Sequence, residues 1–497
     1  MDTLEAIIDQ LRRELAEVRA QLAAALEENR QLEERLDQAE RAAARQAAPF
    51  RRRDSKKVPD GSKKRPGRPP GHPGAHRAIP ARVDHHVEVP LTGCPSCGGP
   101  VTAVEPIEQF IEEIPPVRPQ VTHLVTYRGC CAACGEVHSS HPLQMSTATG
   151  AAKAQLGPRA QALAASLNKQ FGLTMRKTCR VLEQLTGLTL SPGGLALAVQ
   201  RIADRVRGSF DSLIIELRSA AAVFVDETSW YVGEPGYWLW TFTTADTTVY
   251  HVDRSRGRQV VLDMLGEMFA GILVSDCLAS YEGLPYRMHK CIAHHQKAIA
   301  AARDRPDTLD PSYLNQWKLL FTVVCTLWRH RQTLGEEEFA RQRDHLEKWL
   351  DRLLAEPRTQ PGDLAIQQRI GKRRNVVLGC LDDPAAEPTN NRAERSLRDP
   401  GVIARKVSCG NKTEPGKLAW ECLTSLVVTC QQRGHDFVTW LASGLPLDAP
   451  APPIPARYTR TKSGLPFPPN DFVQDLQAFQ PGTEARRHLT DNDGEPW

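Results

Sequence analysis

A chain of 497 residues with a formal net charge of +4 is long enough for about three domains and at least one large hydrophobic core. It contains no run of about 18 apolar residues, and its N-terminus, Met-Asp-Thr-Leu-Glu, is acidic where a signal peptide would be basic. We therefore expect no membrane-spanning helix and a cytoplasmic location, in which the 13 cysteines serve as thiols or metal ligands rather than as disulfides.

Residues 1–45 carry a heptad repeat that predicts a coiled coil. Apolar residues occupy both core positions over residues 4–36, except that Asn29 stands at an a position, where it favours a parallel dimer in one register. An amphipathic helix packed on its own chain is the alternative. Charges such as Glu14 and Arg35 surround the apolar stripe, however, and favour a homodimer or a higher oligomer.

Residues 46–85 predict a basic linker that is disordered when free. Between Arg51 and Arg77 the chain has ten Lys or Arg against two Asp, together with many Pro and Gly. Such a charge asymmetry indicates a polyanionic partner. Within it, Lys-Arg65-Pro-Gly-Arg68-Pro resembles a hook that inserts arginines into a narrow minor groove, although nonspecific attraction to phosphates or a simple solvated linker also fits.

Residues 86–145 predict a zinc ribbon. Two Cys-x-x-Cys knuckles are separated by two expected strands, at 109–114 and 121–128. Four thiolates form a closed tetrahedral site with no position for a substrate, so this Zn²⁺ is structural. The expected ligands are Cys94, Cys97, Cys131 and Cys134, with Cys130 as an alternate ligand. A redox motif is the other interpretation, but it would need only one pair.

Residues 150–218 predict a helical domain of three segments, at 158–171, at 174–185, and after the N-cap pair Ser191 and Pro192. A helix-turn-helix-like arrangement with the third helix in the major groove is one interpretation. Packing of the third helix within the protein is equally favoured, because its run Leu195-Ala-Leu-Ala-Val199 is more apolar than expected for a helix that contacts DNA bases.

Residues 219–441 predict a ribonuclease H-like α/β catalytic core, so that the whole chain is multidomain α+β. Strands at 222–225, 237–243 and 247–252, a helix at 259–268 and a strand at 272–274 follow the order of that fold. A helical insertion is expected at about 300–385, and the Pro-rich tail 442–497 is expected to be disordered.

Three acidic residues are the candidate catalytic groups. Asp226 and Asp276 each end an apolar strand, and Glu394 begins a charged stretch typical of a helix. Three carboxylates brought together can hold two Mg²⁺ or Mn²⁺ ions for phosphodiester chemistry. Taken singly, an Asp at a strand end is more often a turn or cap residue, and Asn391-x-x-Glu394 also fits a helix capping pair.

The chain resembles bacterial insertion-sequence transposases of the IS66 type, in its module order and in its motifs. These motifs are Val-Asp226-Glu-Thr, the run Gly236-Tyr-Trp-Leu-Trp240, Ser-Asp276 followed by Tyr281, Cys291-Ile-Ala-His294-His-Gln-Lys297, Asn390-Asn-Arg-Ala-Glu394-Arg395-Ser-Leu-Arg398 and Ala404-Arg-Lys406. Cys277 and Ile292 depart from it, since such proteins usually have Gly and Trp there.

The resemblance implies a DDE transposase in which Asp226, Asp276 and Glu394 are the metal-binding triad. Its partners would be double-stranded DNA, as element ends and target, and small accessory proteins of the same element. The basic residues near the triad are candidates for gripping DNA, although ordinary surface charge is an equal alternative; they are His294, Lys297, Arg395 and Arg398. Two other functions remain open, namely a non-catalytic zinc-containing DNA-binding regulator and a ribonuclease H-like nuclease that cuts without joining.

Overall fold

The computed structural model describes residues 77–141 and 155–444. Four further residues are described as helical, namely Gln21, Glu27, Arg30 and Gln31. The heptad core positions, the hook arginines Arg65 and Arg68, and the tail beyond residue 444 lie outside the described residues. The chain divides into two units, Met1–Ile114 and Pro115–Trp497.

The first knuckle, in the unit Met1–Ile114, is a tight turn. The N–H of Gly98 donates to the carbonyl of Cys94 at 2.8 Å, and Gly98 has a φ of +75°. That conformation strains any residue with a Cβ, which explains the glycine after the knuckle.

The second knuckle, in the unit Pro115–Trp497, joins the two strands of an antiparallel hairpin. Strand β1 is Arg128–Cys131 and strand β2 is Gly135–His138, with Cys131 paired to Gly135. A glycine again follows the knuckle, since Gly135 has a φ of +76°.

The strands expected at 109–114 and 121–128 are wrong, except that β1 begins at Arg128. Residues 109–127 form no strand, and Ile111 and Val121 are 90% and 93% exposed. Alternation of apolar and polar residues predicts a strand only where a neighbouring strand accepts its hydrogen bonds and a surface covers its apolar face. Here the apolar side chains are exposed to solvent.

Between residue 155 and the main sheet the structure has four helices. Their bounds are α1 Pro158–Lys169, α2 Met175–Thr186, α3 Pro192–Arg205 and α4 Arg207–Ser219. Thr174 and Ser191 cap α2 and α3 by accepting hydrogen bonds from backbone N–H groups, as sequence patterns of this kind predict. Leu195 and Val199 of α3 are buried, so packing accounts for them, whereas Leu197 is 56% exposed.

The five-stranded sheet has the order β5-β4-β3-β6-β7. Strand β4 is antiparallel to both of its neighbours, β3 and β5, and β6 and β7 run parallel to β3. The strand bounds are β3 Ala222–Val232, β4 Glu234–Thr243, β5 Thr248–Asp253, β6 Ile272–Ser275 and β7 Arg287–Lys290, with helix α5, Arg258–Leu265, between β5 and β6. The predicted strands and helix are confirmed in order, whereas β7 was not predicted.

Seven more helices follow the sheet. They are α6 Ile292–Arg303, α7 Ser312–Arg329, α8 Glu336–Ala355, α9 Pro361–Gly371, α10 Asn391–Ser396, α11 Ile403–Ser408 and α12 Glu414–Gln432. A last helix, α13, covers Phe437–Ser443. Helices α6 to α9 lie between Asp276 and Glu394 in the chain, where a helical insertion was expected.

The two faces of the sheet pack against different helices. Val223, Val225 and Leu273 contribute to a core with α1 to α5, α12 and α13. Phe224 and Val274 contribute to a second core with α6 to α9. Because successive residues of a strand point to opposite faces, this division fixes the face on which each following side chain lies.

In the part of the chain that the structure describes, no helix is both long enough and apolar enough to cross a membrane.

Candidate active site

The strand register places the two aspartates next to each other. Strands β3 and β6 pair with a constant offset of 50 residues, from Ala222 with Ile272 to Phe224 with Val274. Continued by two residues, this offset sets Asp226, in the middle of β3, against Asp276, the residue after the end of β6, on strands about 4.8 Å apart. The strand that was expected to end at Asp226 continues to Val232. Both aspartates lie on the face of Phe224 and Val274, which is the face that α6 to α9 cover.

Helix α10 is hydrogen-bonded to β3 next to Asp226, and this helix carries Glu394. Asn390, fully buried just before α10, donates its side-chain N–H to the carbonyl of Val225 at 2.8 Å. Glu394 lies in the first turn of the helix, and its N–H donates to the carbonyl of Asn390 at 3.1 Å. The residue immediately before Asp226 therefore anchors the helix that carries Glu394.

Cys291 links this anchor to the second aspartate. Its N–H donates to the carbonyl of Ser275 at 2.9 Å, and its Sγ accepts the N–H of Asn390 at 3.1 Å. The residues that precede Asp226 and Asp276 are thus joined through two buried side chains. This network links segments of the chain that are 99 residues apart, at Cys291 and Asn390, and 165 residues apart, at Val225 and Asn390.

The site is electrostatically unfavourable for unneutralised carboxylates. Burial, together with the charges of Glu227, Asp276 and Glu394, raises the pKa of Asp226 to about 8. One backbone N–H, that of Glu227, donates to Asp226 Oδ1 at 3.0 Å and opposes this increase. Asp276 Oδ1 accepts the N–H of Leu278 at 2.8 Å. A cation between these groups would remove the repulsion.

Glu227 points to the opposite face of β3 and has a different role. Its buried carboxylate accepts hydrogen bonds from Arg256 at 2.8 Å and from the hydroxyl of Tyr281. Tyr281 also packs edge-on against Trp240, which belongs to the core on that face. We interpret Glu227 as a structural acid that connects β3 to the loop after Asp276.

Lys290 supports the same loop from the end of β7. Its Nζ donates to Ser275 Oγ at 2.9 Å and lies 5.4 Å from the centre of the Tyr281 ring. Burial lowers the pKa of Lys290 to about 8. The buried ammonium of Lys290 thus lies near Asp276, on the face of the sheet opposite to Glu394.

A second group of ligand atoms adjoins the aspartates. The ligand atoms of Cys291, His294 and Glu394 all lie within 4.8 Å of one another, and His294 Nδ1 is 4.0 Å from Glu394 Oε1. Burial raises the pKa of the Cys291 thiol to about 11, against the effect of the N–H groups that point at the sulfur.

The four basic candidates differ in their exposure. His294 is half-buried beside Glu394, whereas Lys297, Arg395 and Arg398 are exposed and available to an external partner. A further arginine that residue spacing did not single out, Arg405 of α11, donates to the hydroxyl of Thr228 at 2.8 Å.

Two acids close to Glu394 in the chain, Glu387 and Asp383, are the alternatives for a third ligand. Each of them is paired with an arginine. Glu387 accepts hydrogen bonds from Arg392, and Asp383 lies 3.3 Å from Arg287. Neither appears among the groups that shift the pKa of Asp226, whereas Glu394 does.

The two departures from the IS66 pattern have local explanations. Ile292 is fully buried in the core that α6 to α9 share with the sheet, and Cys277 Sγ lies 3.5 Å from His295 Nε2. Burial lowers the pKa of His295 to about 3, so this imidazole is neutral. The side chains of Ile292 and Cys277 therefore both pack against neighbouring residues of the protein.

Sequence reasoning missed the residues that hold the site together. Asn390 and Cys291 stood inside the quoted motifs, but nothing in their spacing indicated that they bond to the strand ends. Lys290 and Arg256 carried no signal beyond their charge.

Comparison with known proteins agrees with this geometry. Residues 153–418 match the model described as Transposase IS66 family, which is more than half of the 497 residues. Two similar proteins come from Sinorhizobium fredii (strain NBRC 101917 / NGR234), both named as uncharacterized. Protein y4qI is 25% identical over 51% of this chain and 51% of its own, so this chain spans about half of its length. Protein y4jD is 22% identical over 73% of this chain and 76% of its own. On the strength of the family match across the sheet, its helices and Glu394, the chain belongs to the IS66 family of transposases.

Proposed function

We propose that this chain is a DDE transposase in which Asp226, Asp276 and Glu394 hold the catalytic divalent ions. The observation that carries the proposal is that the charges of Asp276 and Glu394 both act on Asp226, in agreement with the β3–β6 register and the bond from Asn390 to Val225. The strand order, three antiparallel strands followed by two parallel ones, supports a ribonuclease H-like core.

The residues fit a pair of Mg²⁺ or Mn²⁺ ions. Their carboxylate oxygens are the ligands that these hard cations prefer, and the raised pKa of Asp226 reflects its burial and then the neighbouring negative charges. When bound, two such ions would supply an activated attacking oxygen and a stabilised leaving oxygen in an in-line displacement. The chain contributes the placement of the ligands, with Asp226 within β3, Asp276 directly after β6 and Glu394 on a helix tied to β3.

DNA binding is assigned to basic residues in several places. Next to the carboxylates, we propose His294, Lys297, Arg395 and Arg398 as contacts to phosphates at the element end, and the exposure of the last three supports this role. Before the core, Arg65 and Arg68 of the hook are proposed to add minor-groove or phosphate contacts. The α2–α3 region is a further candidate, through its exposed arginines.

The N-terminal modules are proposed to organise the assembly. Cys94, Cys97, Cys131 and Cys134 as ligands of one structural Zn²⁺ remain a prediction, supported by the glycine-terminated turn of each knuckle. The coiled coil of residues 1–45 is proposed to make a dimer or a higher oligomer. Deleting these residues should lower the mass measured by light scattering, and an unchanged mass would place the interface elsewhere.

The activity can be tested on labelled duplex DNA that carries the inverted repeats flanking the gene, with a target plasmid and Mg²⁺. We expect Asp226→Asn, Asp276→Asn and Glu394→Gln each to reduce nicking and joining about a thousandfold or more, because the three ligands act as one unit. Binding of the repeat, measured by gel mobility, should be nearly unchanged.

Asp253→Asn is the matched control. Asp253 ends strand β5, which belongs to the same sheet but lies two strands away from the β3 strand of Asp226. This variant should keep its activity. Full strand transfer by Glu394→Gln would assign the third ligand to another acid, and strand transfer by all three triad variants would refute the DDE assignment.

The same assay separates the other candidate functions. A ribonuclease H-like nuclease would nick the DNA without joining it to the target. A non-catalytic regulator would bind the repeat, and the triad substitutions would change nothing further. Dependence of both nicking and joining on the triad would support the transposase, acting in the cytoplasm with or without accessory proteins of its element.

A further inference from the structure

Three side chains of different chemistry meet at the junction of α6 and α10. Cys291 is the residue before α6, His294 lies three residues later on its first turn, and Glu394 faces them from the first turn of α10. Their sulfur, nitrogen and oxygen atoms lie within 4.8 Å of one another. Within residues 77–141 and 155–444, which the structure describes, no other group of three or more His, Cys, Asp or Glu side chains brings its ligand atoms this close together.

The imidazole has an unused nitrogen at this point. His294 Nδ1 is buried, and among the described residues it has no hydrogen-bond partner, although Glu394 Oε1 lies 4.0 Å away. The sulfur is also held in place, since Cys291 Sγ accepts the N–H of Asn390 at 3.1 Å. That N–H favours the thiolate, the form that binds metals, but burial outweighs it and raises the pKa of the thiol to about 11, so a bound cation has to displace the thiol proton.

We propose that Cys291, His294 and Glu394 form a binding site for a thiophilic divalent cation such as Zn²⁺, which shares Glu394 with the carboxylate site. Thiolate, imidazole and carboxylate are the ligand types that Zn²⁺ takes, whereas Mg²⁺ takes oxygen ligands. Three protein ligands leave a fourth position open, unlike the closed site expected of four knuckle cysteines.

The distances allow such a site after a small adjustment. With bonds of about 2.0–2.3 Å, tetrahedral ligand atoms lie roughly 3.4–3.8 Å apart, so the three atoms must approach by up to about 1 Å. Glu394 and His294 are each about one-third exposed, at 33% and 34%, and the carboxylate can move by rotation of its side chain. The buried Cys291 stays fixed.

The experiment is a Cd²⁺ titration of the full chain, followed by the ultraviolet absorption of cadmium–thiolate bonds. Because other cysteines can also bind Cd²⁺, the readout is the difference between matched variants. We expect Cys291→Ser to lose one cadmium–thiolate increment that Cys325→Ser, a change of a partly buried thiol outside the cluster, retains. His294→Gln should weaken that increment by at least about 10- to 100-fold.

Two further variants make the result decisive. Asp226→Asn should keep the increment, because Asp226 belongs only to the carboxylate site. Glu394→Gln should weaken it, and this variant and His294→Gln carry the test if Cys291→Ser does not fold. Equal Cd²⁺ stoichiometry and affinity in His294→Gln, Glu394→Gln and Cys325→Ser would overturn the proposal.

One consequence rests on the proposed function. A thiophilic ion that binds Glu394 removes a ligand from the Mg²⁺ site, so Cd²⁺ should inhibit Mg²⁺-dependent nicking. Relative to its own uninhibited rate, His294→Gln should need about tenfold more Cd²⁺ for half-inhibition than the unaltered chain. Equal sensitivity would refute the sharing of Glu394. If no form of the protein nicks DNA, the proposed function fails while the Cd²⁺ binding result stands.

Discussion

Asp226→Asn should stabilise the fold in the absence of divalent ions, even though it should abolish activity. Burial, and then the charges of Glu227, Asp276 and Glu394, raise the pKa of Asp226 from 3.8 to about 8. The folded chain therefore keeps a proton on this carboxyl up to about pH 8, while the unfolded chain releases it near pH 4. Between these values the folded state holds more protons, so the free energy of unfolding falls as the pH rises.

The size of the effect follows from that interval. Each pH unit corresponds to about 1.4 kcal/mol, so the interval between 3.8 and about 8 sets an upper limit of roughly 6 kcal/mol at pH 8. Asp226 is partly accessible to solvent, and we expect about half of this limit, ~3 kcal/mol. An Asn has no such titration, so the stability gained by the substitution should be near zero at pH 4 and complete above pH 8.

Thermal unfolding between pH 5 and 8.5 in Mg²⁺-free buffer measures this difference. The Tm of Asp226→Asn should exceed that of the unaltered chain by an amount that grows by roughly 1.5–3 °C per pH unit. Mg²⁺ should raise the Tm of the unaltered chain and should raise that of the variant less, because a ligand has been lost. A difference that stays constant with pH, or that also appears in Asp253→Asn, would refute the reasoning.

Three other predictions concern the modules around the core. Metal analysis of the purified chain should find Zn²⁺ that is lost on Cys97→Ser, and its absence from the reduced, unchelated protein would reject the zinc ribbon. Replacing Arg65 and Arg68 by Ala should flatten the slope of log affinity against log salt by up to about 0.9 per lost phosphate contact, and an unchanged slope and A·T preference would make the hook a linker. Asn390→Ala should cost about 1–3 kcal/mol and lower nicking more than it lowers DNA binding, because the carbonyl of Val225 loses its donor and α10 its anchor. The exposed Asn315→Ala is its control, and equal losses in both variants would contradict this role.

Much of the sheet was predictable because its signals are local. The apolar runs that end at Asp226 and Asp276 are short and bounded by turn residues, and this pattern is typical of buried strands. Helices α7 and α8 follow an equally local period. The short strand β7 lacked such a signal, since Arg287-Met-His-Lys290 is polar at three of four positions. It is a strand because β6 offers it a hydrogen-bonding edge.

The sequence alone determined which chemistry this chain can carry, because residue types and their short-range spacing are written in it directly. Two Cys-x-x-Cys pairs and two aspartates that follow apolar runs belong to that part. Only the tertiary structure decided which segments of the chain are neighbours. An offset of 50 residues between β3 and β6 and a bond from Asn390 to Val225, 165 residues away, link the segments that carry Asp226, Asp276 and Glu394. Such contacts depend on the packing of whole helices and strands, so no local pattern could reveal that Cys291 and His294 also converge on Glu394.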